Sequence, residues 1–448
     1  MIIEIPSQVN IALEILSRGG YDAYVVGGGV RDALLGKDPK DWDITTSALP
    51  EKTEELFREY RVIETGIKHG TVTVIIDSMH LEITTFRKDG EYLDSRHPVS
   101  VDFTDDITAD LSRRDFTCNA IAYNPVKGLK DPFNGALDIK NKIIRCVGNP
   151  DKRFNEDALR IMRALRFSRT LGFYIDGETA LSIHSNAHLL DNISRERIFS
   201  ELLEMLKEAD AAFLNEYRDV LFRIIPQLES EYGCLQNHER HLYDVWMHSC
   251  ISVENCPHKA LLRLAALLHD IGKPSCKTTD DSGTDHFYGH DSAGAEMVRE
   301  IMSELKSSNK IRDYVSSLVG HHGFVPDMIS KKTYKKYLAK YGEEWLRDLF
   351  LLREADIRAQ NPAFAEESLE SNKAGLEIVD EIVNEKPCLT VNDLAVNGKD
   401  LIESGIPPSP EMGNIFKTLL DEVLSEKLAN EKEALLKRAE EIYNDRNS

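Results

Sequence analysis

Residues 24–45 read YVVGGGVRDALLGKDPKDWDIT, and the fold turns on what the three glycines do. A short apolar run enters Gly27-Gly28-Gly29 and helix-forming residues follow, so the stretch reads strand (Tyr24–Val26), turn, helix (Val30–Leu35). Neither common phosphate-binding pattern fits. The dinucleotide fingerprint G-x-G-x-x-G fails because Asp32 stands where the last Gly belongs. The P-loop fails because Arg31 replaces its first Gly and Asp38 follows Gly36-Lys37 where Ser or Thr is required. What remains is a glycine turn followed closely by Asp41-Trp42-Asp43 on a second strand, 41–45.

Residues two apart on a strand point to one face. Asp41 and Asp43 therefore repel unless a cation lies between them. Mg2+ suits them, because it takes one or two carboxylates together with phosphate oxygens. The glycines let the backbone approach a triphosphate, the helix start favours anions, and Arg31 reaches the same phosphates. Glu82, on a later strand, offers a third carboxylate. The bland alternative is that a D-x-D arises by chance among 76 acidic residues and that Gly-Gly-Gly is a plain turn. The joint order of strand, glycines, helix, arginine and D-x-D favours the site.

Around this stretch, residues 1 to about 150 read as α/β. A helix (7–17) opens the chain, and the alternating runs TVTVII (71–76) and LEITTF (81–86) predict an antiparallel hairpin and hence a mixed sheet. Beyond residue 150 the chain is helical. NEDALRIMRALRFSRTLGF (155–173) carries apolar residues at helical spacing, with Asn155 and Glu156 suited to its start and Gly172 near its end. Helices over 193–207 and 212–225 follow, then a proline-rich loop at 396–410 and a long charged helix to about 444. The predicted domains are 1–150, an α/β head; 151–235, a helical neck; 236–365, a histidine-rich helical domain; and 366–448, a helical tail.

The 448 residues, 42% hydrophobic and 29% charged, describe a soluble globular chain of several domains. No apolar run is long enough for a membrane span, and the N-terminus lacks a secretory pattern. Seven scattered cysteines without a C-x-x-C pair predict reduced thiols in a cytoplasm. A net charge of −21 argues against a chain coated in nucleic acid, though it leaves room for a local basic groove.

Such a groove is legible at 151–170, which holds six basic and three acidic residues. Arg160, Arg163 and Arg166 repeat every three residues and form one drifting stripe, with Asp157 a turn before Arg160. The bland reading is a solvated face with an Asp157–Arg160 ion pair. Upstream, RRDFTCNA groups Arg114, Asp115 and Asn119, and a plain helix start capped by Asp115 would also explain it.

Taken together, GGGVRDALLGKDPKDWDITTSALPE (27–51), GTVTVII with LEITTFR (70–87), DLSRRDFTCNAIAY (110–123), 131–168 and ISRERIFSEL (193–202) resemble, in order, the class II tRNA nucleotidyltransferase/poly(A) polymerase family of the polymerase-β superfamily. The resemblance implies an α/β head followed by all-α domains, and addition of C, C and A to tRNA from CTP and ATP without a nucleic-acid template. It implies two Mg2+ ions on Asp41 and Asp43, with Glu82 as a further carboxylate. Gly28, Arg31 and Arg114 would meet the nucleotide, Asp115 and Asn119 its sugar, and Asp157 with Arg160 its base. Arg163 and Arg166 extend the same surface. Residues 85–103 match a loop tied to the switch from C to A, with Arg96-His97-Pro98 where the family has Arg-Arg-Pro. An A-adding enzyme or poly(A) polymerase shares these motifs and is the alternative.

Nine of the 14 histidines fall between 238 and 322. In ALLHDIGKP (266–274) His269 and Asp270 adjoin, His248 lies 21 residues earlier, and Asp356 lies 86 later. Imidazoles with carboxylates suit a divalent transition metal. The order H…HD…D resembles the HD phosphohydrolase domain, which implies a metal-dependent phosphoesterase; His290, His321 and His322 fall where extra ligands occur. A structural or tRNA-docking role is the other reading of this region. A phosphohydrolase whose N-terminal half only senses nucleotide is the remaining alternative for the whole chain.

Overall fold

The computed structural model describes residues 3–66, 70–89 and 101–447. Arg96-His97-Pro98 lies outside the described residues. The chain divides into two compact units. The first runs to Ala209 and takes in Glu216–Pro226 and Glu304–Lys306; the second holds Asp210–Asn215, Gln227–Ser303 and Ser307–Ser448.

In the first unit, α1 (Ser7–Arg18) buries Val9, Ala12, Leu13 and Leu16, the apolar stripe of an amphipathic helix. It leads into β1 (Ala23–Val26), α2 (Gly28–Leu34), β2 (Asp43–Thr46), α3 (Pro50–Leu56), β3 (Arg61–Gly66), β4 (Thr71–Ile76) and β5 (Met79–Thr85). The short pair β6 (Arg87–Asp89) and β7 (Val101–Phe103), α4 (Ile107–Ser112), β8 (Ala122–Asn124), β9 (Gly128–Lys130) and α5 (Gly135–Asn141) complete the head. The main sheet has the order β3-β4-β5-β2-β1-β8-β9. Every pairing in it is antiparallel except β2–β5, so the sheet is mixed, as the alternating runs predict. The β4–β5 hairpin turns on Asp77 and Ser78, at φ 46° and 69°, the left-handed pair that matches strand twist.

One strand differs from the sequence reading. Asp41 and Trp42 precede β2, which starts at Asp43. Trp42 is buried, and a Cβ on Gly29 would stand 2.9 Å from the Asp41 carbonyl oxygen and 3.2 Å from the Trp42 ring. The segment therefore lies flat on the first turn of α2 before it can enter the sheet.

The predicted single helix over 155–173 is two. α6 (Pro150–Glu156) starts on the Asn149 cap, whose side chain accepts from the Lys152 N–H at 2.8 Å. It stops at Asp157, which is extended at φ −144° and ψ 101°. α7 (Leu159–Leu171) then runs to Gly172, at φ 67°. Asn155 and Glu156 thus end one helix and do not begin the next, because the Asp157 carboxylate accepts from the Leu159 N–H at 3.1 Å and starts α7 itself. α8 (Gly177–Asn186) and α9 (Arg195–Leu206) follow. The helix expected over 212–225 divides into α10 (Ala211–Glu216) and α11 (Arg218–Ile224).

The second unit is helical: α12 (Val245–Asn255), α13 (Ala260–Leu268), α14 (Lys273–Cys276), α15 (His290–Glu304), α16 (Asn309–Val319), α17 (Lys331–Tyr341), α18 (Glu343–Ala359) and α19 (Ala365–Asn384). Every residue from Leu262 to Ile271 is buried, and a helix apolar on all sides belongs at the centre of a core. Arg263 survives there because its guanidinium donates to the carbonyls of Cys256 and Pro257. The C-terminal region holds α20 (Gly398–Glu403), inside the predicted loop and capped by Asn397. α21 (Pro410–Leu424) and α22 (Lys432–Asn447) replace the single long helix. Leu394, Leu401, Ile415, Leu419, Leu435 and Ala439 are the centre of their own small core.

Candidate functional site

In the head, β2 antiparallel to β1 pairs Asp43 with Val26, the residue before the glycines. β2 parallel to β5 pairs Ile44 with Ile83, so Asp43 and Glu82 are the neighbours one step earlier on adjoining strands. The sheet thus brings together the glycine turn, Asp43 and Glu82, while Asp41 stands just before the strand. Asp43 keeps exposed surface, yet its carboxyl stands among protein atoms. Burial raises its pKa, the Glu82 and Asp41 carboxylates raise it further, and Arg114 opposes them. A partly buried carboxyl crowded by two like charges is an environment a divalent cation answers. Among the described residues these three do not close into a cluster with ligand atoms within 4.8 Å of one another, as two histidine groups do. That openness suits an ion completed by substrate phosphate oxygens.

The turn itself needs glycine at Gly27, at φ 70° and ψ −134°, a region closed to side chains. Gly28 follows at the start of α2, where an added Cβ would stand 3.5 Å from Arg31 Nη2. Arg31 is buried. Its Nη1 donates to Asn119 Oδ1 at 2.7 Å and its Nε to Asp32 at 2.8 Å. Asn119 Nδ2 donates to Asp115 Oδ1 at 3.1 Å, and Arg163 grips Asp115 Oδ2 through Nε (2.9 Å) and Nη2 (2.5 Å). Arg31, Asn119, Asp115 and Arg163, all called from sequence, form one continuous chain of charge-assisted bonds. Burial alone would raise the Asp115 pKa, but Arg163 overrides it and holds the carboxyl down at about 2. Asp115 accepts from the Phe116 N–H beside it, so it is a hub of this network and not the cap of a longer helix. Arg114 lies against Asp110, with Nη2 3.4 Å from Oδ2, and burial lowers its pKa.

The arginine stripe is neither solvated nor paired as the bland reading had it. Arg160 Nη1 donates to Glu156 at 2.8 Å and to the Arg153 carbonyl, and Nη2 donates to the Arg113 carbonyl at 2.9 Å. Asp157, across the helix break, has one oxygen on the Leu159 N–H and the other 3.4 Å from Arg197. Arg166 bonds Glu201. Glu156 and Glu201 were missed as partners. Both lie inside the quoted motifs, but only the break at Asp157 and the packing of α7 on α9 turn them toward the stripe.

In the second unit, α12, α13, α15, α16 and α18 carry side chains to one point. His248 Nε2 is 3.0 Å from Asp356 Oδ1 and 3.3 Å from His269 Nε2, and His269 Nε2 is 3.2 Å from Asp270. His290 Nε2 is 3.2 Å from His322 Nε2, and both are within 3.6 Å of Asp270 Oδ1. The other ring nitrogen, Nδ1, meets a backbone carbonyl in all four: Ala359, Ala266, Phe287 and Val319 respectively. These contacts assign the proton to Nδ1 and leave the Nε2 lone pairs converging, the arrangement of metal-ligating histidines. Gly272 permits it, since a Cβ there would meet the His290 carbonyl oxygen at 2.2 Å.

Asp270 is answered by the Lys273 ammonium, and both carboxylates act on His269. Burial disfavours a charged His269, yet Asp270 and Asp356 outweigh it and push its pKa up to about 10. Lys273, missed from sequence, puts Nζ 2.7 Å from Asp270 and from Gln236; its only signal was a lysine beside HD in an apolar run. His321 does not join. Its ring packs against Tyr337, Tyr341 and Trp345, because it and His322 leave the end of α16 on different sides. The cluster opens into a cavity of about 400 Å³, also lined by Arg240, Tyr288 and Arg353.

Residues 23–145 match the Poly A polymerase head domain family. Residues 172–229 match the probable RNA and SrmB-binding site of polymerase A, and 290–439 match a putative tRNA nucleotidyltransferase domain 2. The chain is 32% identical to the CCA-adding enzyme of Ligilactobacillus salivarius over the whole of both. It is 34% identical to that of Lactobacillus helveticus over 96% of each. Among solved structures, the Bacillus stearothermophilus CCA-adding enzyme in complex with CTP superposes with a TM-score of 0.64 at 30% identity, covering 98% of each chain. The Thermotoga maritima CCA-adding enzyme, complexed with tRNA, shares the fold at 19% identity and a TM-score of 0.59, covering 98% of this chain and 97% of that one. With the glycine turn, the paired strand carboxylates and full-length relatives above 30% identity, this chain belongs to the CCA-adding enzyme family.

Proposed function

We propose that this protein adds C, C and A to the 3′ end of tRNA from CTP and ATP. The observation that carries it is the placement of Asp43 beside Glu82 across β2 and β5, with Val26 and the glycine turn on its other side, in a chain of this family. The tRNA 3′-hydroxyl oxygen bonds to the α-phosphorus, the bond to the β-phosphate oxygen breaks, pyrophosphate leaves, and the hydroxyl proton passes to water. Asp41 and Asp43, with Glu82 beside them, would hold Mg2+, which when bound supplies a Lewis acid for the nucleophile and for the leaving charge. Gly28 gives the triphosphate room, while Arg31 and Arg114 supply positive charge beside it. Asp115 and Asn119 hold Arg31 in place and stand near the sugar.

Base choice is assigned to Asp157 and Arg160. Cytosine and adenine each offer an exocyclic amine beside a ring-nitrogen acceptor, matching a carboxylate and a guanidinium. Uracil and guanine would leave a carbonyl facing Asp157, and an unpaired buried polar group is a strong ground for rejection. The Arg160 guanidinium is engaged by Glu156 and two carbonyls, so reading a base requires it to exchange one of them. Incubation with Mg2+, labelled CTP or ATP, and tRNAs ending before the first C, after CC, or mature tests the reading. Incorporation of both nucleotides in order is expected. Incorporation of ATP alone would indicate an A-adding enzyme, and no transfer from either would refute nucleotidyl transfer altogether.

The four Nε2 lone pairs favour a second reading for the second unit. His248, His269, Asp270 and Asp356 hold a divalent transition metal of the HD type, with His290 and His322 completing a wider set, and the unit hydrolyses a phosphoester. Metal analysis of purified protein, with release of phosphate from nucleotide esters, tests it. A metal-free protein inert with added Mn2+ or Ni2+ would favour a structural role. The four domains 1–150, 151–235, 236–365 and 366–448 remain the proposed division.

A further inference from the structure

We propose that Phe167 is a positioning residue of the nucleotide site, the plate on which Arg31, Arg163 and Arg166 are held together. The inference rests on the reading that Arg31 meets the triphosphate. The guanidinium carbons of the three arginines lie 5.3, 5.2 and 4.0 Å from the centre of the Phe167 ring. Two of these arginines come from α7 and one from α2, so the ring joins the two elements. Its own orientation is fixed by Phe116, which is fully buried and meets it edge to face at 5.9 Å and 82°.

Three like charges around one point repel. Asp32, Asp115 and Glu201 offset them, but each carboxylate occupies N–H donors and adds charge that repels a phosphate. An aromatic face attracts cations through its quadrupole and takes no donor. Leucine in the same place would fill the space without that attraction. Phe167 therefore gathers positive charge and leaves it available to an anion.

The test is a series with phenylalanine, 4-fluoro-, 3,4,5-trifluoro- and pentafluorophenylalanine at position 167, which nearly preserves shape while draining and then inverting the quadrupole. KM for CTP and for ATP should climb stepwise to about tenfold, with kcat at saturation and the unfolding midpoint nearly unchanged. A flat KM across the series overturns the inference, since a ring that only packs would respond through stability. Arg31→Ala in the same assay separates the two layers. If it raises KM while the fluorine series is flat, the role of Phe167 alone fails. If it leaves KM unchanged, the assignment of Arg31 falls and this inference with it.

Discussion

Asp115 illustrates how one side chain stabilises and organises at once. Its ordinary pKa of 3.8 falls to about 2 in the fold because Arg163, by charge and hydrogen bond, and the hydrogen bonds from Asn119 and the Phe116 N–H favour the anion. A depressed folded value contributes stability that is complete above the ordinary pKa and is lost as pH falls toward the folded one. The shift corresponds to about 2 kcal/mol. Asp115→Asn should therefore lower the urea-unfolding free energy at pH 7 by at least about 2 kcal/mol, the unpaired Arg163 adding to the loss. The gap should shrink as pH drops from about 4 to about 2. At Gly29 the backbone of Asp41 leaves no room for a side chain. Gly29→Ala should cut kcat for C addition by about a hundredfold, as expected when reacting groups move by an ångström, while tRNA binding in a filter assay is kept.

At the level of elements, the β4–β5 hairpin sets the register that puts Glu82 beside Asp43. Its turn holds Ser78 at φ 69°, where a side chain is disfavoured. Ser78→Gly should raise stability by about 0.5–1 kcal/mol in denaturant titration without altering activity, because the strain relieved at this positive φ exceeds the unfolded-state entropy that glycine adds. The break between α6 and α7 makes the complementary case. Asp157→Ala removes the carboxylate that accepts from the Leu159 N–H and should cost about 1 kcal/mol of stability. It should also relax discrimination against UTP and GTP, read as incorporation of either with a tRNA ending before the first C.

For the molecule as a whole, the histidine cluster and the head should answer metals separately. Each belongs to its own compact unit. Chelation followed by Mn2+ should raise the unfolding midpoint of the wild type, since a ligand at a hundredfold excess over its Kd adds about 2.7 kcal/mol. The response should be weak in His290→Gln and absent in Asp270→Asn. C addition supported by Mg2+ should be nearly the same in all three proteins. If Asp270→Asn abolished C addition, the histidine cluster and the head would be coupled. Among the described residues no helix is long and apolar enough to cross a membrane.

Much of the site is local in sequence and was legible there. The glycine turn and the adjoining His269-Asp270 pair depend on residues side by side in the chain. The mixed sheet followed from the alternating runs for the same reason. The D-x-D reads as one strand face, but Asp41 lies before β2 and only Asp43 is on it. The helix break at Asp157, the short C-terminal helices and the turning away of His321 were not legible. At Asp157 a capping carboxylate outweighed the periodicity that predicts one continuous helix, and an aromatic pocket takes His321. The partnership of Arg160 with Glu156, the chain from Arg31 to Arg163 and the Phe167 plate belong to the same class. Sequence by itself determined the chemical inventory, two metal-suited constellations and an arginine stripe, because residue type and spacing set what each group can bind. Only the tertiary structure decided which donors are already engaged and which remain open to a substrate, because burial and long-range pairing assign each guanidinium and imidazole its partners.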